Sequence, residues 1–178
     1  MRIGYGFDSH EFRPGIPLKI GGVELAHDRG LGGHSDGDVL LHAITDALLG
    51  AIAAPDIGAL FPPSDPKWKG ADSVIFLREA MKRVQEAGYE VANLDASLIL
   101  AAPKIGPHAA RVRARVAESL GIALDCVGLK AKTPEGLNLD DAAIAHVVVL
   151  LERRRASLSR IPADRRGSTK KVMKKRRP

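Results

Sequence analysis

The chain lacks the patterns that mark disulfide-rich, cysteine-zinc, secreted and membrane proteins. Its 178 residues include one cysteine, Cys126, so an internal disulfide and a cysteine-rich zinc module are both excluded. No apolar run reaches the roughly 18 residues that a membrane-spanning helix needs. The first residues form a strand-like run without a signal-peptide pattern. We therefore expect a cytoplasmic protein with no membrane partner.

Acidic and basic residues are distributed unevenly along the chain. The formal net charge is +6, but residues 153–178 contain twelve Lys and Arg and one Asp, which leaves 15 basic and 20 acidic residues in residues 1–152. The basic segment has no aromatic residue to stack on a base and no apolar periodicity. We therefore expect one domain at residues 1–152 and a basic, disordered extension at residues 153–178. Any nucleic-acid binding would be non-specific and would occur through that extension.

Hydrophobic periodicity predicts interspersed strands and helices. The pair Gly21-Gly22 supplies the positive φ angles of a tight hairpin turn. Residues 26–37 hold four glycines and are predicted to form a loop, and the Pro- and Gly-rich residues 54–70 are predicted to form a second, functional or mobile loop. These patterns predict an α+β fold with helices on one face of a mixed sheet. The predicted strands are Met1–Phe7, Leu18–Leu25 (the hairpin), Val91–Ala101, Val127–Lys132 and Ala142–Leu151, and the predicted helices are Asp38–Ala53, Ser73–Ala87 and His108–Leu120.

Three side chains form a candidate metal site. Asp8 and His10 are two residues apart, so on a strand both point to the same face. His42 lies in the first helical pattern, with Asp38 and Asp46 one turn away on either side. One carboxylate and two imidazoles leave a fourth tetrahedral position open, as in catalytic zinc sites. Either Asp38 or Asp46 could orient the His42 ring or face a substrate. A packed or solvated histidine is the alternative, because the Asp-x-His motif is short and common.

Several motifs in the same order resemble the 2-C-methyl-D-erythritol 2,4-cyclodiphosphate synthase family. The resemblance extends from residue 1 to about residue 152. The motifs that carry it are Arg2–His10, His34–Asp38 with His42, Thr45–Gly50, Asp56–Gly58, Phe61 with Asp65-Pro66, Ala102–Lys104 and Lys130–Leu137.

The resemblance implies a homotrimer with active sites at the subunit interfaces. Each chain would contribute a four-stranded sheet with helices on one face, and the sheets would enclose a central channel. The implied reaction is an intramolecular phosphoryl transfer. The 2-phosphate of 4-diphosphocytidyl-2-C-methyl-D-erythritol 2-phosphate attacks the β-phosphorus of the same molecule, which releases CMP and forms a cyclic diphosphate used in non-mevalonate isoprenoid synthesis.

The resemblance also implies roles for individual residues. Zn²⁺, or another divalent transition metal, would bind Asp8, His10 and His42, and Mg²⁺ or Mn²⁺ would bind Glu135 and the substrate diphosphate. His34 and Thr133 would stabilise the transferring phosphate. Ser35, Asp56, Ile57 and Gly58 would contact the methylerythritol phosphate end. Asp8, His10 and His34 would also contact the substrate. The lid would consist of Phe61, Pro62, Pro63, Ser64 and Asp65. The cytidine diphosphate portion would contact Leu100, Ala101, Ala102, Pro103, Lys104, Ile105, Gly106, Lys132, Thr133, Pro134 and Glu135.

Two other functions stay open at this point. A different metal-dependent phosphohydrolase or phosphotransferase could use the same ligands, and its activity would not require the cytidyl group. A nucleic-acid-binding protein would account for the basic extension but not for the Asp8, His10 and His42 set. One segment also departs from the family: residues 137–144 lack the aromatic residue, the Arg and the Glu of a Gly-Phe-Thr-Gly-Arg-Gly-Glu-Gly-like stretch. The resemblance therefore does not extend to binding of an isoprenoid diphosphate in the channel.

Overall fold

A computed structural model describes residues 1–154. Its fold is α+β, as predicted, and its short 3₁₀ turns cover Pro66–Trp68, Gly106–His108 and Leu124–Cys126. The predicted extension at residues 153–178 lies outside the described residues from residue 155 onward. The strands and helices in chain order are β1 Arg2–Pro14, β2 Leu18–Ile20, β3 Val23–Leu25, β4 Arg29–Leu31, α1 Val39–Ala51, α2 Ile57–Leu60, α3 Val74–Glu86, β5 Tyr89–Leu100, α4 Ala109–Leu120, β6 Val127–Lys132 and β7 Ala142–Arg153.

The main sheet is mixed and has the strand order β4-β1-β7-β5-β6. Strand β6 runs parallel to β5, and the other neighbouring pairs are antiparallel. Strands β2 and β3 form the separate predicted hairpin. Four of the five strands, β1, β5, β6 and β7, correspond to predicted strands, and four is the number that the family resemblance implies. The fifth, β4, is only three residues long and lies within residues 26–37, for which the sequence predicts a loop.

Helix α1 packs directly across β1 and β7. The close approach depends on two glycines of β1. A Cβ atom on Gly4 would lie 1.8 Å from the Ala47 carbonyl oxygen, and one on Gly6 would lie 1.9 Å from the Ala43 carbonyl oxygen. Real Cβ atoms do not approach backbone atoms this closely, so glycine is required at both positions. The even-numbered residues of β1 therefore face α1, and these include Asp8 and His10.

The opposite face of the sheet is apolar and is not covered by any other part of residues 1–154. The exposed fractions are 72% for Ile3, 58% for Tyr5, 48% for Phe7 and 45% for Val148. His146 lies among them, with its Nδ1 atom 2.9 Å from the Tyr5 hydroxyl. In contrast, β7 residues Ala143, Ala145, Val147, Val149 and Leu151 are fully buried beneath the helices. Within the described part of the chain, the helices thus lie on one face of the sheet, as predicted.

The first strand is longer than predicted, and the predicted loop at residues 54–70 contains α2 and a 3₁₀ turn. Continuation of β1 through Pro14 places Asp8 and His10 inside a regular strand, where their shared face follows from the two-residue period. No helix in residues 1–154 is long and apolar enough to cross a membrane.

Candidate functional site

Three ligand-type atoms converge where β1 meets the first turn of α1. The Asp8 Oδ2 atom lies 2.9 Å from His10 Nε2 and 3.0 Å from His42 Nδ1, and the two nitrogens are 3.1 Å apart. A tetrahedral zinc ion with bonds of about 2.0–2.1 Å would separate its ligand atoms by about 3.4 Å. The three atoms therefore need to open by only a few tenths of an ångström to hold such an ion. Within residues 1–154, Asp8, His10 and His42 form the group of His, Cys, Asp or Glu side chains whose ligand atoms lie close enough together to hold a metal ion.

The pKa shifts of Asp8 and His10 indicate that the candidate metal site favours positive charge. Burial raises the pKa of Asp8, but hydrogen bonds from His10 and His42 outweigh it and lower the pKa to about 2. Burial lowers the pKa of His10, and the Asp8 carboxylate more than reverses this effect, so the net shift is upward. Asp8 is therefore ionised near neutral pH, and its carboxylate would favour a divalent cation between the three side chains.

The second nitrogen of His42 faces two hydroxyl groups. Its Nε2 atom lies 2.8 Å from Ser73 Oγ and 3.0 Å from Ser35 Oγ. The Ser73 hydroxyl in turn donates a hydrogen bond to Asp36 Oδ1. Ser73 stands at the N-cap of α3, but its side chain makes no capping hydrogen bond and is directed to His42 and Asp36 instead.

Asp38 and Asp46, whose helical spacing makes them candidate partners of His42, have other contacts. Asp38 caps α1, and its fully buried carboxylate accepts hydrogen bonds from the backbone N–H groups of Gly21, Gly22 and Leu41. It therefore fixes the β2–β3 hairpin to α1. Asp46 Oδ1 accepts a hydrogen bond of 2.8 Å from the Ile57 N–H. Asp46 therefore anchors the segment that contains Asp56, Ile57 and Gly58.

A cavity of about 170 Å³ adjoins the candidate metal site. Its aromatic wall consists of Phe61, Trp68 and Phe76, whose ring centroids are 4.6–5.7 Å apart. Sequence reasoning had not identified Trp68 and Phe76, since apolar residues there also fit ordinary packing. The cavity is lined by His10, His34, Ser35, His42, Ile57, Gly58, Phe61, Pro63, Trp68 and Phe76.

A larger cavity, of about 500 Å³, lies at the ends of β5 and β6. Two lysines, Lys104 and Lys132, give it positive charge. The Thr133 hydroxyl donates to Glu135 Oε1 at its rim, and Glu135 has a φ of 50°. A non-glycine residue with this φ is uncommon and often marks a functional turn. The cavity is lined by Leu100, Pro103, Lys104, Ile105, Gly106, Pro107, Ala109, Leu129, Ala131, Lys132, Thr133 and Glu135.

The remaining predicted contact residues lie close to these two cavities without lining them. Pro62, Ser64 and Asp65 belong to the turn that follows α2, and Asp65 Oδ1 accepts a hydrogen bond from the Lys67 N–H. The Asp56 side chain caps α2 by accepting from the Ala59 N–H at 2.8 Å. Ala101, Ala102 and Pro134 lie beside lining residues of the larger cavity. The roles assigned to all these residues stay predictions.

The two cavities are far apart within one chain. The strand register places Asp8 opposite Ala145, Ala145 opposite Leu98, and Leu98 opposite Ala131. Adjacent strands are about 4.8 Å apart, so Asp8 and Ala131 are separated by about 14 Å across three strand spacings. The two cavities share no lining residue. Glu135 and Thr133 therefore do not join the Asp8, His10 and His42 group within one chain.

Together, the mixed sheet and the Asp-His-His group define an α+β protein with a candidate divalent-metal site. Residues 1–152 match the YgbB family. A curated relative from Koribacter versatilis, named 2-C-methyl-D-erythritol 2,4-cyclodiphosphate synthase, is 69% identical over 154 residues, covering 86% of this chain and 99% of the relative. A chloroplastic relative of the same name from Oryza sativa is 54% identical, covering 86% of this chain and 71% of its own length.

A solved structure supports the same assignment. It shows a 2C-methyl-D-erythritol-2,4-cyclodiphosphate synthase in a CDP-bound form. It is 43% identical to this chain with a TM-score of 0.81, and the match covers 85% of this chain and all of that one. The chain belongs to the YgbB family, and its resemblance to the 2-C-methyl-D-erythritol 2,4-cyclodiphosphate synthases is confirmed.

Proposed function

We propose that the chain converts 4-diphosphocytidyl-2-C-methyl-D-erythritol 2-phosphate to 2-C-methyl-D-erythritol 2,4-cyclodiphosphate and CMP. The observation that carries this proposal is the convergence of Asp8 Oδ2, His10 Nε2 and His42 Nδ1 within 2.9–3.1 Å of one another beside a cavity. The names of the relatives and the CDP in the related structure support it.

The reaction requires positioning and charge stabilisation more than a protein nucleophile. The attacking 2-phosphate is already anionic, so no side chain has to supply a nucleophile. A zinc ion held by Asp8, His10 and His42 would supply Lewis acidity toward a phosphate oxygen. His34 and Ser35 line the same cavity and would orient the phosphate that is transferred.

The larger cavity has the properties that a cytidine diphosphate group requires. Lys104 and Lys132 supply positive charge, and Leu100, Ile105 and Leu129 supply apolar surface against which a base can pack. A single carboxylate, Glu135, suits Mg²⁺ or Mn²⁺, because these ions are usually held by one or two carboxylates together with phosphates and waters. The Thr133 hydroxyl, which bonds to Glu135, would then face the same phosphates.

We further propose that the active enzyme is a homotrimer whose sites are shared between chains. One substrate must contact both cavities, yet about 14 Å of sheet separates Asp8 from Ala131 within a chain. A neighbouring chain that presents its larger cavity to the metal site would remove this gap. The uncovered face with Ile3, Tyr5 and Phe7 supplies apolar surface for such an assembly around a central channel.

The test is to incubate the zinc- and magnesium-loaded protein with the cytidyl substrate and to quantify CMP and the cyclic diphosphate. Equal amounts of the two products are expected. A parallel incubation with 2-C-methyl-D-erythritol 2,4-bisphosphate, which lacks the cytidyl group, separates the alternative. A simple phosphohydrolase would release inorganic phosphate from it and would form no cyclic product. Release of inorganic phosphate from the bisphosphate, with no cyclic diphosphate from the cytidyl substrate, would refute the proposed function.

A further inference from the structure

The far side of His42 forms a chain of polar contacts that leads away from the candidate metal site. His42 Nε2 is 2.8 Å from Ser73 Oγ, the Ser73 hydroxyl donates to Asp36 Oδ1, and Asp36 Oδ2 is 3.1 Å from Lys19 Nζ. The side chains are well shielded: Ser73 is 0% exposed, and the side chains of Asp36 and His42 are 11% and 12% exposed. Buried polar chains of this kind are electrostatically strong because little water competes for their hydrogen bonds.

The backbone holds this chain of contacts in place. Two hydrogen bonds connect the segment before α1 to the segment before α3: Gly70 N–H donates to the His34 carbonyl at 2.7 Å, and Asp36 N–H donates to the Ala71 carbonyl at 3.0 Å. These hydrogen bonds place Ser73 beside the Nε2 atom of His42, although the two residues are 31 positions apart in the sequence. Lys19, from the β2–β3 hairpin, holds the second Asp36 oxygen, so that the first one faces Ser73.

The direction of the hydrogen bonds determines the state of the imidazole. The Ser73 hydroxyl has one proton and gives it to the Asp36 carboxylate, so its oxygen is an acceptor toward His42. In the metal-bound state His42 would then carry its proton on Nε2 and donate it to Ser73, which leaves a lone pair on Nδ1, the atom that faces Asp8 and His10. Metal-bound histidines commonly donate their second N–H to a carboxylate or a carbonyl oxygen. Here a serine lies between the imidazole and the carboxylate.

We propose that Ser73 and Asp36 are positioning residues that hold His42 in the orientation and tautomer that binds the metal ion. This inference rests on the proposed metal site. Groups in this position typically contribute about 10–100-fold to metal affinity or activity. Removal of the Ser73 hydroxyl should therefore weaken zinc binding without removing any metal ligand.

The experiment compares zinc dissociation constants, measured by competition with a chromophoric chelator, for wild type, Ser73→Ala and Thr45→Val. Thr45 is the matched control, because it is a fully buried hydroxyl on α1 that bonds to the Leu41 carbonyl at 2.8 Å. We expect Ser73→Ala to lose about 10–100-fold in zinc affinity and to alter the visible spectrum of the cobalt-substituted protein. Thr45→Val should retain wild-type values of both, and Ser73→Thr, which restores a hydroxyl, should recover part of the affinity.

Asp36→Ala gives a second measurement if Ser73→Ala does not fold, because it leaves the Ser73 hydroxyl without its acceptor. A similar loss of zinc affinity is expected for that variant. Wild-type affinity in a folded Ser73→Ala or Asp36→Ala protein, with only a lower melting temperature, would show that these residues merely stabilise the fold and would overturn the inference. Failure of the wild-type protein to bind zinc would instead refute the proposed metal site, so the two failures are distinguishable.

Discussion

Gly6→Ala should damage the candidate metal site although it changes no ligand. The added Cβ atom would lie 1.9 Å from the Ala43 carbonyl oxygen, whereas such contacts are essentially never shorter than 3.0 Å. Helix α1 must therefore move away from β1 by about 1 Å or more at this point. Ala43 follows His42 directly, so the movement separates His42 Nδ1 from Asp8 and His10.

The expected loss of zinc affinity follows from how little zinc–ligand distances can vary. Zinc–ligand distances vary by only about 0.2 Å, which is well below the required displacement. We expect Gly6→Ala to lose at least as much zinc affinity as removal of a supporting hydrogen bond, about 10–100-fold. Overpacking between α1 and β1 should also lower the free energy of unfolding by about 1–3 kcal/mol.

Zinc titration and urea unfolding of the same samples separate these two effects. Gly50→Ala is the matched control, since it lies on the same helix and its Cβ atom would meet only the Tyr5 carbonyl oxygen at an ordinary 3.8 Å. That variant should retain zinc and gain about 0.5–1 kcal/mol, because alanine favours helix more than glycine does. Wild-type zinc affinity in folded Gly6→Ala would refute the claim that the glycine contact sets the geometry of the site.

Three further predictions concern other parts of the molecule. His42→Ala should remove most bound zinc and most activity while the fold persists, because two ligands are too few for a stable site; full zinc occupancy by elemental analysis would contradict the ligand assignment. Asp38→Asn should lower the free energy of unfolding in urea by about 1–3 kcal/mol, since one amide oxygen cannot accept all three backbone N–H groups; unchanged stability would contradict the role of Asp38 in holding the hairpin. Truncation after Arg154, whose N–H donates to the Gly88 carbonyl, should leave turnover within a few-fold of the full chain but reduce salt-sensitive RNA binding; loss of turnover at both low and high salt would assign the extension to the active site.

The grouping of Asp8, His10 and His42 as candidate metal ligands was predictable because its signals are local. Asp8 and His10 share a strand face by the two-residue period, and the apolar spacing around His42 is helical. Strand β4 was missed because the three residues Arg29–Leu31 are too few to show an alternating pattern. The predicted boundaries of α1, α3 and α4 each agree with the structure to within about two residues, which is the usual uncertainty of helix ends.

The partners of His42 were not predictable from its neighbours in the sequence. Asp38 and Asp46 have the right helical spacing, but the close packing of α1 directs them to the hairpin and to Ile57. Ser73 reaches the ring only because residues 34–36 bond to residues 70–71, a long-range contact with no periodic signal. The separation of the two cavities could likewise not be predicted from the sequence, because it depends on the order of the strands in the sheet.

The uncovered sheet face has a thermodynamic consequence for the chain. If Ile3, Tyr5, Phe7 and Val148 become buried only on assembly, part of the free energy that keeps the chain folded comes from association. Dilution would then act as a denaturant, and the melting temperature should rise with protein concentration. A charge introduced at this face should lower the melting temperature most at low concentration, because added protein restores the assembly by mass action.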